Sequence, residues 1–333
     1  MTAIDYGNPV TRIRACETGL LDQSRFNRLL QVSRVEEMLK VLKETEYGAH
    51  IDRLESINDY EEMLEDELSR VHLLLQELIK NPLLKRIIAL PNDLHNLKVL
   101  LKSRQLDEVQ SQLFQPRGQI EIEELTRLVE EEDWNRISEH LGKGLAEALL
   151  QLKEETDPQQ VELLLDRAQY KILLRLAKKM GSSLLEGLFI RKIDLLNIEI
   201  TIRIKAMGGD KELLRQALLP GGDIDPDLLL KNLNEPLSSL AGSLARSDYG
   251  QLVAEGIEYL QKKESLTGYE KMADDFLMKY VQQSRFIHFG PEPIYSYLWV
   301  KEKEIENLRI ILIGRHNNLP ETEIRERLRD LNA

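Results

Sequence analysis

The stretch Asp93 to Arg104, DLHNLKVLLKSR, occurs in three versions along the chain. The second version is Asp194 to Lys205, DLLNIEITIRIK, and the third is Glu304 to Arg315, EIENLRIILIGR. Each version begins with an acid, has an asparagine three positions later and ends in a basic residue after an apolar ladder. A spacing of about one hundred residues is far longer than a solenoid repeat, so each copy predicts a small helical subdomain.

The second copy taken alone has an ambiguous pattern. Isoleucines alternate with polar residues over 198–204, which is typical of a half-buried strand. The first copy resolves the ambiguity, because Leu94, Leu97 and Leu101 fit only the helical period, and the third copy has the same spacing. All three copies are therefore predicted to be helices.

The repeat selects three polar positions in each copy as candidate site residues. They are the acids Asp93, Asp194 and Glu304, the asparagines Asn96, Asn197 and Asn307, and the basic residues Arg104, Lys205 and Arg315. Asparagine is a poor helix former, so its recurrence in mid-helix needs a reason. The favoured interpretation is a hydrogen bond to neighbouring backbone that fixes packing. A partner contact repeated around a pseudo-threefold axis is the alternative.

The charged ends of the copies also have two interpretations. A basic residue near a helix C-terminus usually opposes the helix dipole, and a partner contact is the alternative. In the first copy Pro91 is predicted to start the helix, which would let Asp93 oppose the dipole at the other end. In the other two copies the helix is expected to begin earlier, so the acid must have a different role.

Capping signals and linkers suggest how the chain is divided. Ser33 and Thr267 each precede a glutamate by three residues, as in a capping box, and Asp157 precedes a proline at a predicted helix start. A short helix is expected near Leu106 to Leu113. The predicted units are 1–155 with the N-terminal helices, 156–264 and 265–333.

Composition favours an all-α protein. Of the 333 residues 31% are charged and only 5% are aromatic, and glycine and proline are few. The 45 basic residues against 57 acidic ones give a net charge of −12, which argues against nucleic-acid binding. The excess of acidic residues either makes a solvated surface that keeps the protein soluble or attracts a basic protein partner.

Several other classes of protein are disfavoured. The single cysteine, Cys16, excludes an internal disulfide and is compatible with a reducing compartment. The N-terminus has no signal-peptide pattern, and no apolar run approaches the ~18 residues of a membrane span. We therefore expect a soluble protein whose association with any membrane is indirect, through another protein.

The search for catalytic chemistry gives no candidate. The stretch 208–211, GGDK, lacks the spacing of a phosphate-binding loop, and the six histidines form no metal-ligand pair. His95 lies in the first copy, but the other two copies have different residues at its position. No catalytic residue, cofactor or metal is expected.

Four segments together resemble a known family. They are the Asn92–Lys98 and Glu304–Arg309 stretches, the Leu319-Pro320-Glu321 turn and the N-terminal Tyr6–Leu21 segment. In order and spacing they resemble the C subunit of the A/V-type rotary ATPases, which is related to the d subunit of the eukaryotic vacuolar proton pump. The middle copy departs from the pattern, because an acid, Glu199, replaces a basic residue.

The resemblance implies a non-catalytic subunit of the central stalk. Its three helical units would form a funnel about a pseudo-threefold axis, on the cytoplasmic side of the proteolipid rotor ring. The funnel would receive the tip of the shaft made of the D and F subunits and pass torque to the ring, which moves protons or sodium ions. The alternative function is a generic helical cytosolic scaffold or adaptor, and an enzyme is a distant third.

Overall fold

The structure, a computed structural model, describes residues 4–104, 111–143, 145–152 and 157–331. These residues form eighteen α-helices and, within the described ranges, no strand. The helices are α1 (Ile4–Glu17), α2 (Gln23–Gln31), α3 (Val35–Leu42), α4 (Gly48–Ile51), α5 (Tyr60–Leu78), α6 (Pro82–Ser103), α7 (Ile122–Glu130), α8 (Trp134–Leu141), α9 (Leu145–Leu149), α10 (Pro158–Met180), α11 (Ser183–Ala206), α12 (Lys211–Ala217), α13 (Pro226–Asn232), α14 (Leu237–Leu244), α15 (Gly250–Lys263), α16 (Thr267–Val281), α17 (Glu292–His316) and α18 (Glu321–Arg327). The predicted all-α class is confirmed.

The three signature copies lie in the long helices α6, α11 and α17, as their apolar spacing predicts. One expectation for the first copy is wrong. Pro91 lies inside α6, which runs without a break from Pro82, so Asp93 is in mid-helix and cannot oppose the dipole. Leucines on both sides of Pro91 are buried, and α6 packs along α10, so tertiary contacts outweigh the hydrogen bond that proline removes.

The helix caps follow the sequence signals only in part. Asp157 and Asp225 accept backbone hydrogen bonds at the starts of α10 and α13, each with proline at the first helical position. Neither expected capping box at Ser33 or Thr267 forms. The caps of α3 and α16 are Arg34 and Leu266, one residue away from each predicted cap.

Two sequence predictions fall largely outside the described residues. The boundary at 155/156 lies there, as does most of the short helix expected over 106–113, of which 111–113 is a single 3-10 turn. The described chain separates into two compact units, Met1–Lys80 with Ala241–Ala333, and Asn81–Leu240. The division into three units stays a prediction.

The unit formed by Met1–Lys80 and Ala241–Ala333 is built around α17. This helix packs against α1, α3, α5, α16 and α18. The shared core includes Met38 and Leu42 of α3, Met63 of α5, and Leu308 of α17. The N-terminal helices and the last signature helix therefore share one hydrophobic core.

The unit Asn81–Leu240 is built around α6, α10 and α11. Helix α10 packs against both signature helices of this unit, α7 and α8 pack on α6, and α12 and α13 pack on α11. Each of these two signature helices, α6 and α11, is thus followed by a pair of short helices that pack on it. The loops that connect them bring backbone groups to the candidate polar residues.

Candidate functional site

Each signature asparagine clamps one residue of the segment that follows its helix. The Asn96 side chain accepts a hydrogen bond from the Gln115 N–H and donates one to the Gln115 carbonyl, both at 2.8 Å. Asn197 makes the same pair with Leu219, at 2.7 and 2.9 Å. Asn307 does so with Arg329, both at 2.9 Å. An amide is suited to this arrangement because it offers one acceptor and two donors.

The asparagine side chains face the interior. Asn96, Asn197 and Asn307 are only 1%, 2% and 2% exposed. In this conformation they present no surface to another protein, and their polar atoms satisfy buried backbone groups instead. The geometry matches the packing interpretation of the recurrent asparagine.

The first two acids receive the backbone of the next turn. An Asp93 oxygen accepts from the N–H groups of Gln119 at 2.9 Å and Ile120 at 3.1 Å. An Asp194 oxygen accepts from the N–H of Ile224 at 2.9 Å. Both aspartates are buried, so these turns are tied directly to the signature helix.

A glycine in each turn makes the approach possible. A Cβ atom placed on Gly118 or Gly222 would lie 2.2 Å from the aspartate oxygen, a distance that no side chain could accommodate. The sequence match between the two turns, Pro-x-Gly-x-Ile, therefore has a steric cause.

Burial affects the ionisation of Asp93. Desolvation raises the pKa of its carboxyl to about 6, although the N–H donors of Ile120 and Gln119 and the charge of Arg86 oppose the shift. Ionisation of Asp93 in the folded chain therefore costs more free energy than it does in water.

The third acid, Glu304, has different partners. One carboxylate oxygen accepts from the N–H of Leu21 at 2.5 Å, and the other accepts from the Tyr47 hydroxyl at 2.8 Å. Lys301 donates to the same carboxylate at 2.7 Å and lies 3.1 Å from a Glu67 oxygen. Lys301, Glu67 and Glu304 are all almost fully buried. The N-terminal segment thus provides what the following turn provides in the other copies.

The ionic groups around Glu304 stabilise one another's charge. Burial by itself lowers the pKa of Lys301, but the carboxylates of Glu304 and Glu67 outweigh it and raise that pKa. Burial favours a higher pKa for Glu67, but the hydrogen bond from Arg70 and the charge of Lys301 lower it. The cluster is a charged, hydrogen-bonded network, whereas Asp93 has mainly neutral donors.

The basic residues at the ends of the three copies differ in the same way, since two contact the segment that follows their helix and the third contacts an N-terminal helix. Arg104 pairs with exposed Glu132 at 2.9 Å, and Lys205 donates to the Leu233 carbonyl at 2.5 Å. Arg315 donates to the carbonyl of Leu30, in α2. These residues therefore bind neighbouring segments besides any interaction with their own helix dipoles.

The N-terminal contacts have counterparts in the second copy. Leu30 lies nine residues after Leu21, and Leu233 lies nine residues after Ile224. Gly19-Leu20-Leu21-Asp22 also matches Gly222-Asp223-Ile224-Asp225 in its glycine, aliphatic and acidic positions. Residues 19–31 thus provide for α17 the contacts that residues 222–233 provide for α11.

A second match lies further along the same segments. Tyr47-Gly48 and Tyr249-Gly250 each follow an acid and open a helix. A Cβ on Gly48 would lie 2.4 Å from the Lys43 carbonyl oxygen, and one on Gly250 would lie 2.7 Å from that of Ala245. Sequence reasoning missed Leu21, Tyr47 and Lys301 as partners of Glu304, and Glu67 as a partner of Lys301. The short matches were the available signal for Leu21 and Tyr47.

A family model for the ATP synthase (C/AC39) subunit matches residues 9–327, which include all three signature helices and most of the N-terminal segment. The chain belongs to the ATP synthase (C/AC39) subunit family. Membership confirms the resemblance that the repeated motifs suggested.

Relatives of this C/AC39 chain match it along most of its length. The C subunit of the V-type sodium ATPase of Enterococcus hirae is 26% identical over 325 residues, covering 97% of each chain. The C subunit of the A-type ATP synthase of Methanocaldococcus jannaschii is 27% identical and covers 97% of this chain and 86% of its own. That of Halorubrum lacusprofundi is 26% identical and covers 98% and 99%.

Two further observations concern the described part of the C/AC39 chain. No three histidine, cysteine, aspartate or glutamate side chains in it come together to form a potential metal site. None of its described helices combines the length and apolar character that crossing a bilayer requires.

Proposed function

We propose that the chain is a non-catalytic subunit of the central stalk in an A/V-type rotary ATPase. It would couple the shaft made of the D and F subunits to the proteolipid rotor ring, for ATP-linked transport of protons or sodium ions. The observation that carries the proposal is the family match over residues 9–327.

The buried clamps supply a mechanical reason for this role. A part that transmits torque must resist bending, and each signature helix is tied to the following backbone by an asparagine and to a second segment by an acid. Buried, fully bonded polar groups fix one arrangement of the backbone. We infer that the nine signature residues act mainly in holding the units stiff, and that other residues contact the partners.

The proposed placement follows from the partners. Three similar units arranged as a funnel about a pseudo-threefold axis would sit on the cytoplasmic side of the ring and be peripheral to the membrane. An acid excess would draw a basic shaft tip toward the funnel by long-range attraction.

Reconstitution with the proposed partners tests this function. The tagged chain is expressed with the D and F subunits and the proteolipid ring, then purified in mild detergent. We expect a complex containing shaft, ring and one copy of the chain, and no shaft–ring complex when the chain is omitted. A folded chain that binds neither intact partner would contradict the proposal.

A further inference from the structure

Helix α10 has an unusual charge for this acidic chain. It carries five lysine or arginine residues and two acids, whereas α5, which also precedes a signature helix, carries one arginine and six acids. The two acids of α10 are Asp166, 2.5 Å from Lys98, and Glu162, which contacts Lys102, and both partners belong to α6. The remaining charge of α10 is entirely basic.

Three of these basic side chains lie on one exposed face. Lys171, Arg175 and Lys178 are four and three residues apart, which is the spacing of one helical face, and each is exposed. Within the described ranges none of them forms an ion pair with a carboxylate. Arg175 donates to the Lys143 carbonyl at 2.6 Å, which orients its guanidinium without neutralising it.

Helix chemistry alone does not account for this basic face. Lys178 lies in the last turn of α10, where it opposes the helix dipole. Lys171 and Arg175 lie one to two turns earlier, beyond the range of that effect. A surface cation without a carboxylate is ordinary when single, but three on one face give a local positive potential on a chain of net charge −12.

A cleft adjoins the basic face. It has a volume of about 510 Å3 and lies between α9, α10 and the turn at Pro220. Apolar Leu164 and Leu174 line it together with Lys171 and one acid, Glu147. This combination of apolar wall and basic edge fits a ligand that has an apolar side and carboxylates beside it.

One wall of the cleft is held in place by Arg167. Its guanidinium donates to the carbonyls of Gln216, at 3.0 Å, and Leu218, at the end of α12. These hydrogen bonds hold the Arg167 guanidinium against the end of α12 without neutralising it. Lys171 is the exposed basic group at the cleft, and Arg175 and Lys178 continue its face.

We propose that Lys171, Arg175 and Lys178, with the adjoining cleft, form a docking surface for an acidic amphipathic helix of another subunit in the rotary complex. The three cations span about 10 Å along α10, two helical turns, which matches carboxylates spaced four and three residues apart on a partner helix. An apolar residue of that helix would enter the cleft beside Leu164. The proposal rests on the proposed function, since it takes the partner from the same complex.

Charge reversal with a matched control tests the surface. The variant K171E/R175E and the control K211E/K231E alter two exposed basic residues of the same compact unit. Affinity for purified shaft and for purified ring is measured over a range of salt concentrations, and folding is checked by thermal melting. We expect K171E/R175E to weaken binding to one partner about tenfold and to reduce its salt dependence, with the control within about twofold of wild type.

A photo-crosslinking residue at Leu164 identifies what occupies the cleft in the assembled complex. We expect crosslinks to an acidic, helical segment of one subunit. Crosslinks to a basic or uncharged segment, or equal affinities for the reversal and the control, would overturn the inference while leaving the proposed function intact. Failure of the wild-type chain to join the complex would remove both proposals.

Anionic vesicles provide the remaining comparison. Vesicles of phosphatidylglycerol and phosphatidylcholine are mixed with the free chain and floated. We expect wild type and K171E/R175E to float to the same low extent. Strong flotation that only the K171E/R175E variant loses would assign the basic face to a lipid surface and overturn the inference.

Discussion

Asp93 and Glu304 occupy the same position of the repeat, but their carboxylates are satisfied from opposite directions along the chain. Asp93 binds the turn that follows its helix, at Gln119 and Ile120. Glu304 binds Leu21 and Tyr47, which precede it by more than 250 residues, and adds the buried cation of Lys301. Equivalent anchoring can thus be reached by a short local loop or by joining the two ends of the chain.

The difference has an energetic consequence. Burial desolvates Asp93 and raises its pKa to about 6, a shift that its neutral backbone donors oppose only in part, whereas Lys301 compensates the charge of Glu304 and Glu67. The long-range site must also hold together segments that a flexible chain would keep apart, which costs conformational entropy. The charged network at Glu304 therefore supplies stronger contacts at the position where joining distant segments costs the most conformational entropy.

Removal of the buried cation should have the largest effect. Lys301→Met leaves Glu67 and Glu304 without their shared partner in the interior, and we expect a loss of about 3–5 kcal/mol in the free energy of unfolding. Lys303→Met is the matched control, because its partners Asp274 and Glu306 keep Arg329, and it should cost much less. Urea denaturation measures both variants, and equal losses would contradict the special role of Lys301.

Disruption of an asparagine clamp should rank next. Asn197→Leu leaves the N–H and carbonyl of buried Leu219 without partners, and we expect a loss of about 2–4 kcal/mol. Asn307→Leu should cost less, because Arg329 is partly exposed and water can reach its backbone. Denaturation midpoints compare the two variants. A larger loss for Asn307→Leu would show that the burial of the clamped residue does not set the cost.

Substitution of the glycine beside the acid should have different effects at the local site, Gly222 with Asp194, and at the long-range site, Gly19 near Glu304. Gly222→Ala forces Asp194 away from its turn and should cost about 1–3 kcal/mol. Gly19→Ala should cost less, since its new Cβ would chiefly meet the end of the Glu46 side chain, at 2.9 Å, and not Glu304. Gly242→Ala, in open space within α14, is the control and should be neutral or slightly stabilising. Thermal unfolding gives the order, and a Gly222→Ala variant as stable as wild type would exclude the steric argument.

The pH dependence of stability should differ between the two sites. The pKa of Asp93 is about 6 in the folded chain and about 3.9 unfolded, so the folded state binds more protons between these values. Its contribution is most favourable below pH 4 and declines as pH rises to about 6, by about 1–3 kcal/mol. Glu67 has a lowered pKa, so its contribution is lost as pH falls instead.

The variant Asp93→Asn isolates the first of these effects. We expect the variant to become more stable relative to wild type as pH rises from 4 to 6.5, because asparagine has no charge to desolvate. Denaturant unfolding at a series of pH values measures the difference. A difference that is independent of pH would show that Asp93 ionises normally.

Sequence alone predicted the helices and the candidate polar positions, because both depend on local or periodic patterns. The leucine spacing predicts α6, α11 and α17, and the recurrence of Asn96 at Asn197 and Asn307 marks an amide with a shared role. The steric cause of Gly118 and Gly222 becomes clear only from the position of the aspartate oxygens.

Long-range effects explain what sequence could not predict. Pro91 looked like a helix start, but packing of α6 on α10 keeps the helix continuous. Two partners of Glu304, Leu21 and Tyr47, precede it by more than 250 residues, and a match as short as Gly19 to Asp22 is weak until the contacts are known. The capping boxes predicted at Ser33 and Thr267 are wrong on a local scale, since the caps of α3 and α16 lie one residue away, at Arg34 and Leu266.

Ion transport by the reconstituted complex tests the proposed coupling most directly. The ATPase head, shaft and ring are assembled in proteoliposomes with and without this chain, and ATP hydrolysis and ATP-driven ion uptake are measured together. We predict that without the chain hydrolysis continues while ion uptake falls to background, and that adding the chain restores uptake. Ion uptake at the full rate without the chain would contradict a role in passing torque from shaft to ring.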